Sequence, residues 1–345
     1  MTNRYTLPLM IAVLISIIFF AFLNLLLGTV SIPASEVLGI ITGGECTNEI
    51  WRNIIIKSRL PQTLVAIFAG AGLSVAGLLM QTVFRNPLAG PSVLGISSGA
   101  SLGVACVILL SGMFGQALSQ LGFFGEFAIT IAAIIGAMAV MGVIIFVSQK
   151  VKGNVTLLII GVMIGYIATA IIGVLKFFSI EEDIRAYVIW GLGSFAKVSG
   201  NQMLLFCTIM AVLIPLSMLL VKTLNLLLLG DGYARNLGLN IKRARFWVIL
   251  SSGILVAIVT AYCGPISFIG LAVPHLCRGI FQTSDHRILM PATVLAGASL
   301  ALICNLIARM PGFEGVLPVN SVTALIGAPV VVSVLFRKRK NEIGE

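Results

Sequence analysis

Asp, Glu, Lys and Arg divide this chain into nine long stretches without a charge, at 5–35, 60–84, 86–125, 127–149, 153–175, 198–221, 246–277, 288–308 and 315–336. The shortest holds 21 residues. A helix of that length rises about 31 Å, close to the thickness of a bilayer's hydrocarbon core. Strands of a membrane barrel would run about 10 residues and alternate in polarity, which these stretches do not. The pattern predicts an all-α polytopic membrane protein forming a single transmembrane domain over 1–345.

Two stretches need dividing. The run 246–277 is too long for one span and contains Gly264-Pro265, a turn signal. It predicts one helix over about 246–262 and another over about 265–282. The run 86–125 opens on Asn86-Pro87 and ends Gly-rich, which predicts one span at about 93–111 between loops. Ten spans result, at about 7–27, 61–84, 93–111, 127–148, 155–175, 202–221, 246–262, 265–282, 289–308 and 319–336. The first is longer than the apolar region of a signal peptide and lacks an A-x-A site after it, so it is read as a retained span.

Composition excludes more than it identifies. The chain is 59% hydrophobic and 10% charged, against about 25% charged in soluble domains. A water-soluble enzyme, a nucleic-acid binder and a disordered scaffold are all demoted by this. The net charge of +10 then reports topology. With the N-terminus inside, the inner segments hold 15 basic and 4 acidic residues, and the outer ones 7 basic and 8 acidic. Lys and Arg favour the cytoplasmic side, so both termini are expected there, beside Arg337-Lys338-Arg339-Lys340.

Little catalytic chemistry is present. The cysteines show no metal spacing. His275 reads as a structural hydrogen-bonding residue and His286 as a cytoplasmic turn residue. Gly95-Ile96-Ser97-Ser98-Gly99 matches G-x-S-x-G, but it opens a membrane helix instead of following a strand. No Walker A loop occurs. No Asp or Glu falls within a predicted span, which argues against an ion-coupled carrier, since such carriers hold their ion with costly buried carboxylates. The glycine cluster Gly70-Ala71-Gly72-Leu73-Ser74-Val75-Ala76-Gly77 reads as a helix-packing face.

The longest inner connection is 222–245. Asp231 is expected to cap a short helix through Leu237, with Gly238 just past its end. This element suits an interfacial anchor or a docking site for a soluble partner.

Several stretches, in order along nearly the whole chain, resemble the membrane permease of type II ABC importers of ferric siderophores, haem or cobalamin. They include Arg59-Leu60-Pro61, Gln81, Arg85-Asn86-Pro87-Leu88-Ala89-Gly90-Pro91, Trp190-Gly191-Leu192-Gly193-Ser194 and Gly230-Asp231 with Ala234-Arg235 and Leu237-Gly238. Gly264-Pro265-Ile266-Ser267-Phe268-Ile269-Gly270-Leu271, Val273-Pro274-His275, Leu317-Pro318-Val319 and Gly327-Ala328-Pro329 continue the series. The resemblance implies a ten-helix subunit with an inverted five-helix repeat, of which the sequence carries only a faint echo: Ala69–Leu73 against Ala296–Leu300. It implies a homodimer in the inner membrane, served by two cytoplasmic ABC ATPase subunits and an extracytoplasmic substrate-binding protein. ATP would be used by the partner, with no cofactor bound here and no nucleic acid involved. The cargo would be a ferric siderophore or haem; cobalamin is the alternative, and a stand-alone secondary transporter a remote one.

Carried over by residue, Asp231, Gly232, Tyr233, Ala234, Arg235, Leu237, Gly238 and Leu239 would form the coupling element that meets the ATPase. Asn86, Leu88, Asn154 and Val155 would lie at the cytoplasmic gate. Arg59 and Arg309 would face outward to acidic residues of the binding protein. The chain departs from the family at Gln62, where a second Arg is common, and at Asn305, where Asp is. It departs also at Gly232 and Val316, each in place of a frequent Glu, and at Asn320 in place of a frequent Gly. Arg52 and Lys57 are alternative cations near Gln62.

Overall fold

The computed structural model describes residues 6–44, 48–111, 123–151, 154–310 and 316–343. Among them the chain is helical throughout. In order the helices are α1 Thr6–Leu26, α2 Ala34–Ile41, α3 Glu49–Ile54, α4 Leu60–Phe84, α5 Ile96–Ser111, α6 Phe123–Lys150, α7 Asn154–Phe177 and α8 Glu181–Gly191. They continue as α9 Gly200–Met218, α10 Val221–Leu228, α11 Asp231–Asn236, α12 Ile241–Cys263, α13 Ile269–Phe281, α14 His286–Ala308 and α15 Val319–Ile343. A π-helical turn, Ile55–Arg59, joins α3 to α4 without a break.

Seven helices, Thr6–Leu26, Glu49–Phe84, Phe127–Lys150, Val155–Phe177, Gly200–Met218, Ile241–Cys263 and His286–Ala308, are long and apolar enough to cross a bilayer. Three shorter apolar ones are Ile96–Leu110, Ile269–Phe281 and Val319–Ser333. Sequence explains several boundaries. Pro61, which has no N–H to donate, comes just after the π turn, at the start of α4. The side chains of Asn240 and Asp285 cap α12 and α14 by accepting from the N–H of Arg243 (3.1 Å) and Arg287 (2.9 Å). α12 stops at Gly264, whose φ of +75° turns the chain into Pro265.

α13 begins at Ile269, later than the expected 265. Residues 264–268 stay irregular: Ser194 N–H takes the carbonyl of Cys263, the last residue of α12 (2.8 Å), and Ser267 N–H donates to Asn320 Oδ1 (3.0 Å). Asn320, a departure from the family, therefore holds the lead-in to α13.

α4 is the axis of the bundle. Its apolar window is 83% buried, against 11% for α1. α12, α13 and α14 surround it, with α9 beside it; α1 lies on α14, and α5 is flanked by α6 and α7. The approaches are set by small residues. A Cβ on Gly77 would overlap the backbone of Gly270, and one on Gly70 would overlap Gly297 O. Helices in lipid associate through close contact and not through exclusion of apolar surface, so these positions hold the bundle together. The paired stretches Ala69–Leu73 and Ala296–Leu300 are thus two faces of one contact between α4 and α14. In the ten-span order they belong to the second and ninth spans, whereas a five-helix repeat relates the second to the seventh. Their likeness marks a contact and carries no repeat.

Gly77→Val is expected to remove the folded protein from detergent extracts, because the displaced atoms are backbone. Gly142→Ala, facing open space, is expected to leave the melting temperature unchanged. Size-exclusion chromatography of tagged variants, with a thermal ramp, compares the two.

Candidate coupling and gating site

At its C-terminal end α4 breaks at Arg85, which takes a left-handed conformation (φ +49°). The next residues form an Asx turn in which Asn86 Oδ1 accepts from Leu88 N–H (2.9 Å). Leu88 is exposed. Further on, Leu94 lies against Gly161 of α7. Val155, near the start of α7, is exposed; Asn154 is the first residue of α7, and its side chain lies outside the described residues.

Close to Arg85 lies the short helix α11. Gly230, at φ +104°, leads in. Asp231 is the first helical residue and makes no cap hydrogen bond; the capping expected of it is replaced by ion pairing. One carboxylate oxygen meets Arg85 Nη2 at 2.6 Å and the other meets Arg245 Nη2 at 2.7 Å. Arg85 also donates to Leu227 O from Nε and Nη2 (3.3 and 3.1 Å). Arg85 and Asp231 together thus tie the end of α4, the end of α10, α11 and the first turns of α12. Past α11, Leu239 N–H bonds Ala234 O and Gly238 N–H bonds Arg235 O, both at 2.9 Å. With Gly238 at φ +86° this is a Schellman close, as the sequence suggests.

The pairing fixes what α11 displays. Ala234 is fully buried, while Tyr233 (73% exposed) and Leu237 (61% exposed) stand out. Gly232 and Arg235 are exposed and Leu239 is half-buried. Two large apolar side chains, one on α11 and one just past its end, are thus held outward by pairing from behind.

A buried polar knot supports this end. His286, expected in an exposed turn, is 1% exposed. Its Nε2 lies 2.8 Å from Thr82 Oγ1 and its Nδ1 2.8 Å from Asn225 Oδ1. The Asn225 oxygen only accepts, so Nδ1 carries the proton; the Thr82 hydroxyl, which donates to Leu78 O (2.8 Å), sits against Nε2. Asn225 Nδ2 donates to Asp285 (2.6 Å). The Asp285 carboxyl is held below the usual carboxylate range, first by the Arg287 N–H and also by Asn225. Burial won here because Asn225 on α10 and Thr82 on α4 supply partners that no local pattern reveals. His275, by contrast, is half-buried and makes no hydrogen bond among the described residues. Ser97 lies in the first turn of α5, lining a cavity of about 270 Å³ with Ser92 and Ser267, and no histidine meets it there.

The other end of α4 corrects the reading of Arg59. That residue is 1% exposed. Its Nη1 donates to Leu25 O and Leu26 O, both at 2.7 Å, and its Nη2 to Val30 O. These carbonyls include the last of α1, which have no intrahelical partner, and a cation there is favoured by the helix dipole. Arg59 clamps α1 to α4 and is not presented outward. Arg309 follows α14. A Cβ on Gly28 would touch the Nη2 atoms of both arginines, and Arg309 Nη1 is buried without a partner. Burial, then the charge of Arg59, pushes its pKa down to about 10. Arg52 and Lys57 are exposed nearby in sequence.

Gln62 and Asn305 prove to be one feature. Gln62 Nε2 donates to Asn305 Oδ1 (2.9 Å), and Asn305 Nδ2 to Asn24 Oδ1 (2.7 Å). Asn24 donates in turn to Phe20 O (2.8 Å) and Leu302 O (3.0 Å). Two of the positions at which the chain departs from the resemblance thus meet in one hydrogen-bonded pair of amides.

A family model described as the FecCD transport family matches residues 14–337. The chain belongs to this family of ABC importer permeases. Among curated relatives, the hemin transport system permease protein HmuU of Yersinia pestis is 35% identical over 299 residues, covering 86% of this chain and 87% of that one. The vitamin B12 import system permease protein BtuC of Klebsiella pneumoniae is 36% identical over 299 residues, covering 87% of each. A solved structure described as an inward-facing conformation of a metal-chelate type ABC transporter superposes with a TM-score of 0.82 at 28% identity, covering 96% of this chain and 99% of that one.

Two outcomes test the geometry. Gln62→Arg is expected to destabilise the protein by about 2 kcal/mol, since it buries an unpaired cation, and Gln62→Arg with Asn305→Asp is expected to recover most of that in a double-mutant cycle of unfolding in detergent. Asp231→Asn is expected to cost only about 1 kcal/mol, because the pair is partly exposed, yet to make the 222–245 connection markedly more sensitive to limited proteolysis.

Proposed function

We propose that this permease carries an iron complex, a ferric siderophore or haem, through the membrane as a homodimer. Two cytoplasmic ABC ATPases drive it and an extracytoplasmic binding protein delivers the cargo. The observation that carries the mechanism is the Asp231 hub. It holds Tyr233 and Leu237 out at the basic end while bonding directly to Arg85, the residue before Asn86. A displacement of α11 by the ATPase would reach the Asn86–Leu88 turn through one carboxylate.

In this reading the basic end is cytoplasmic, with both termini there, and ten crossings are made by the seven long helices and three shorter apolar ones. Residues 231–239 couple to the ATPase. Asn86 and Leu88, with Asn154 and Val155, form the inner gate. On the outer face Arg309 supplies the docking cation, supported by its unpartnered buried nitrogen, with exposed Arg52 and Lys57 beside it; Arg59 is a clamp. Charged rims steer encounter and fix orientation more than they add affinity. An iron complex is favoured by the haem permease and metal-chelate relatives. Cobalamin is the second reading, because the vitamin B12 permease is as similar as the haem permease.

In proteoliposomes containing the ATPase and binding protein, uptake of a radiolabelled ferric complex is expected to require ATP. Leu237→Lys is expected to lower it at least tenfold while the protein still inserts. Uptake without ATP or partners would overturn the importer reading, and uptake of cobalamin but not of iron complexes would select the second cargo.

A further inference from the structure

A cavity of about 460 Å³ opens at the basic end between the last turn of α6, α11 and the first turn of α12. Lys150, Arg235, Lys242 and Arg245 line it, with Ser148 and one carboxylate, Asp231. That carboxylate is already shared between Arg85 and Arg245. Lys150, Arg235 and Lys242 form no ion pair among the described residues, and all three are exposed. The concavity therefore holds an uncompensated positive charge.

Two further observations say what fits it. The first turn of α12 carries no acidic residue but carries Lys242 and Arg243. Cations there oppose the helix dipole, which favours an anion. The exposed face of α6 is apolar up to the cavity: Ile135, Met138, Val143 and Phe146 recur at helical spacing and end at Lys150. The Lys150 ammonium sits 4.3 Å from the centre of the Phe146 ring. An apolar stripe running along a membrane helix into a cluster of cations has the form of a phospholipid, tail beside the stripe and headgroup among the charges.

We infer that this cavity binds the phosphate headgroup of an anionic phospholipid, its acyl chain lying along the α6 stripe. Basic pockets between membrane helices hold such headgroups through charge, each Lys or Arg adding a few-fold in binding. The site lies behind α11, so a bound lipid would brace the same Asp231 hub. The inference goes beyond transport and does not depend on the cargo or on ATP.

The test uses the full chain, purified in detergent and mixed with equal phosphatidylglycerol and phosphatidylcholine, with retained lipid counted by native mass spectrometry. Phosphatidylglycerol is expected to be retained about tenfold over phosphatidylcholine. Lys150→Gln and Lys242→Gln, both at exposed positions, are each expected to lower that retention about fivefold, and Lys242→Arg to preserve it. Equal retention of the two lipids overturns the proposal, as does retention unchanged in both glutamine variants. Displacement of the lipid by millimolar inorganic phosphate would make this a free-phosphate site, and binding of only the soluble ATPase there would make it a protein contact; either overturns the lipid assignment. Because the readout involves no transport, failure here leaves the importer reading intact, and failure of uptake leaves this result intact.

Discussion

In hydrocarbon a helix gains nothing by hiding apolar side chains from its solvent, so α4 is held by how near its neighbours' backbones can come. Gly77 against Gly270 and Gly70 against Gly297 set that distance. Because the atoms in contact are main chain, the spacing cannot relax by a change of rotamer. α12, α13 and α14 inherit their positions from it. So do the two ends of α4, where Arg59 and Arg85 each reach across to carbonyl groups of a different helix. A stiff rod with an arginine at each end organises both faces of the molecule.

The two arginines differ in kind. Arg59 is spent on carbonyls, an arrangement with a single geometry. Arg85 divides its donors between a carbonyl and a carboxylate that Arg245 also holds. Ion pairs that are partly exposed exchange partners at little cost, whereas a buried guanidinium released from three carbonyls would leave them unsatisfied. The Arg59 end is therefore built to stay closed on itself, and the Arg85 end to be moved. Under the proposed function, that asymmetry would suit a permease worked from the Arg85 end by a motor and approached at the other by a carrier.

The helices were legible because lipid imposes a crude rule: twenty or so uncharged residues, punctuated by Gly and Pro. Gly264 and Gly238 end their helices where their chemistry suggests. The misreadings all involve lateral partners. Asp231 looked like a cap because caps are local, but Arg85 and Arg245 come from elsewhere in the chain and won its oxygens. His286 looked like a turn residue because its neighbours are polar, yet Thr82 and Asn225 drew it inside. The outward reading of Arg59 came from the resemblance alone; the unpaired carbonyls of α1, beside the π turn, hold its guanidinium inside. The helices α2, α3 and α8, of 8, 6 and 11 residues, are too short to stand out as spans. As a coupling element, the stretch from Asp231 to Leu239 stood out only through the resemblance, and the exposure of Tyr233 and Leu237 is a finding of the structure.

The amide chain of Gln62, Asn305 and Asn24 joins α4, α14 and α1 with no ionisable group in it. An Arg–Asp pair in the same place would loosen as acid neutralised the carboxylate. Small ions would also shield it wherever water reached it. The amides respond to neither. The part of the cohesion that these amides supply is accordingly independent of the acidity and salinity of the medium that this end of the protein meets, where a charged clasp would be strained.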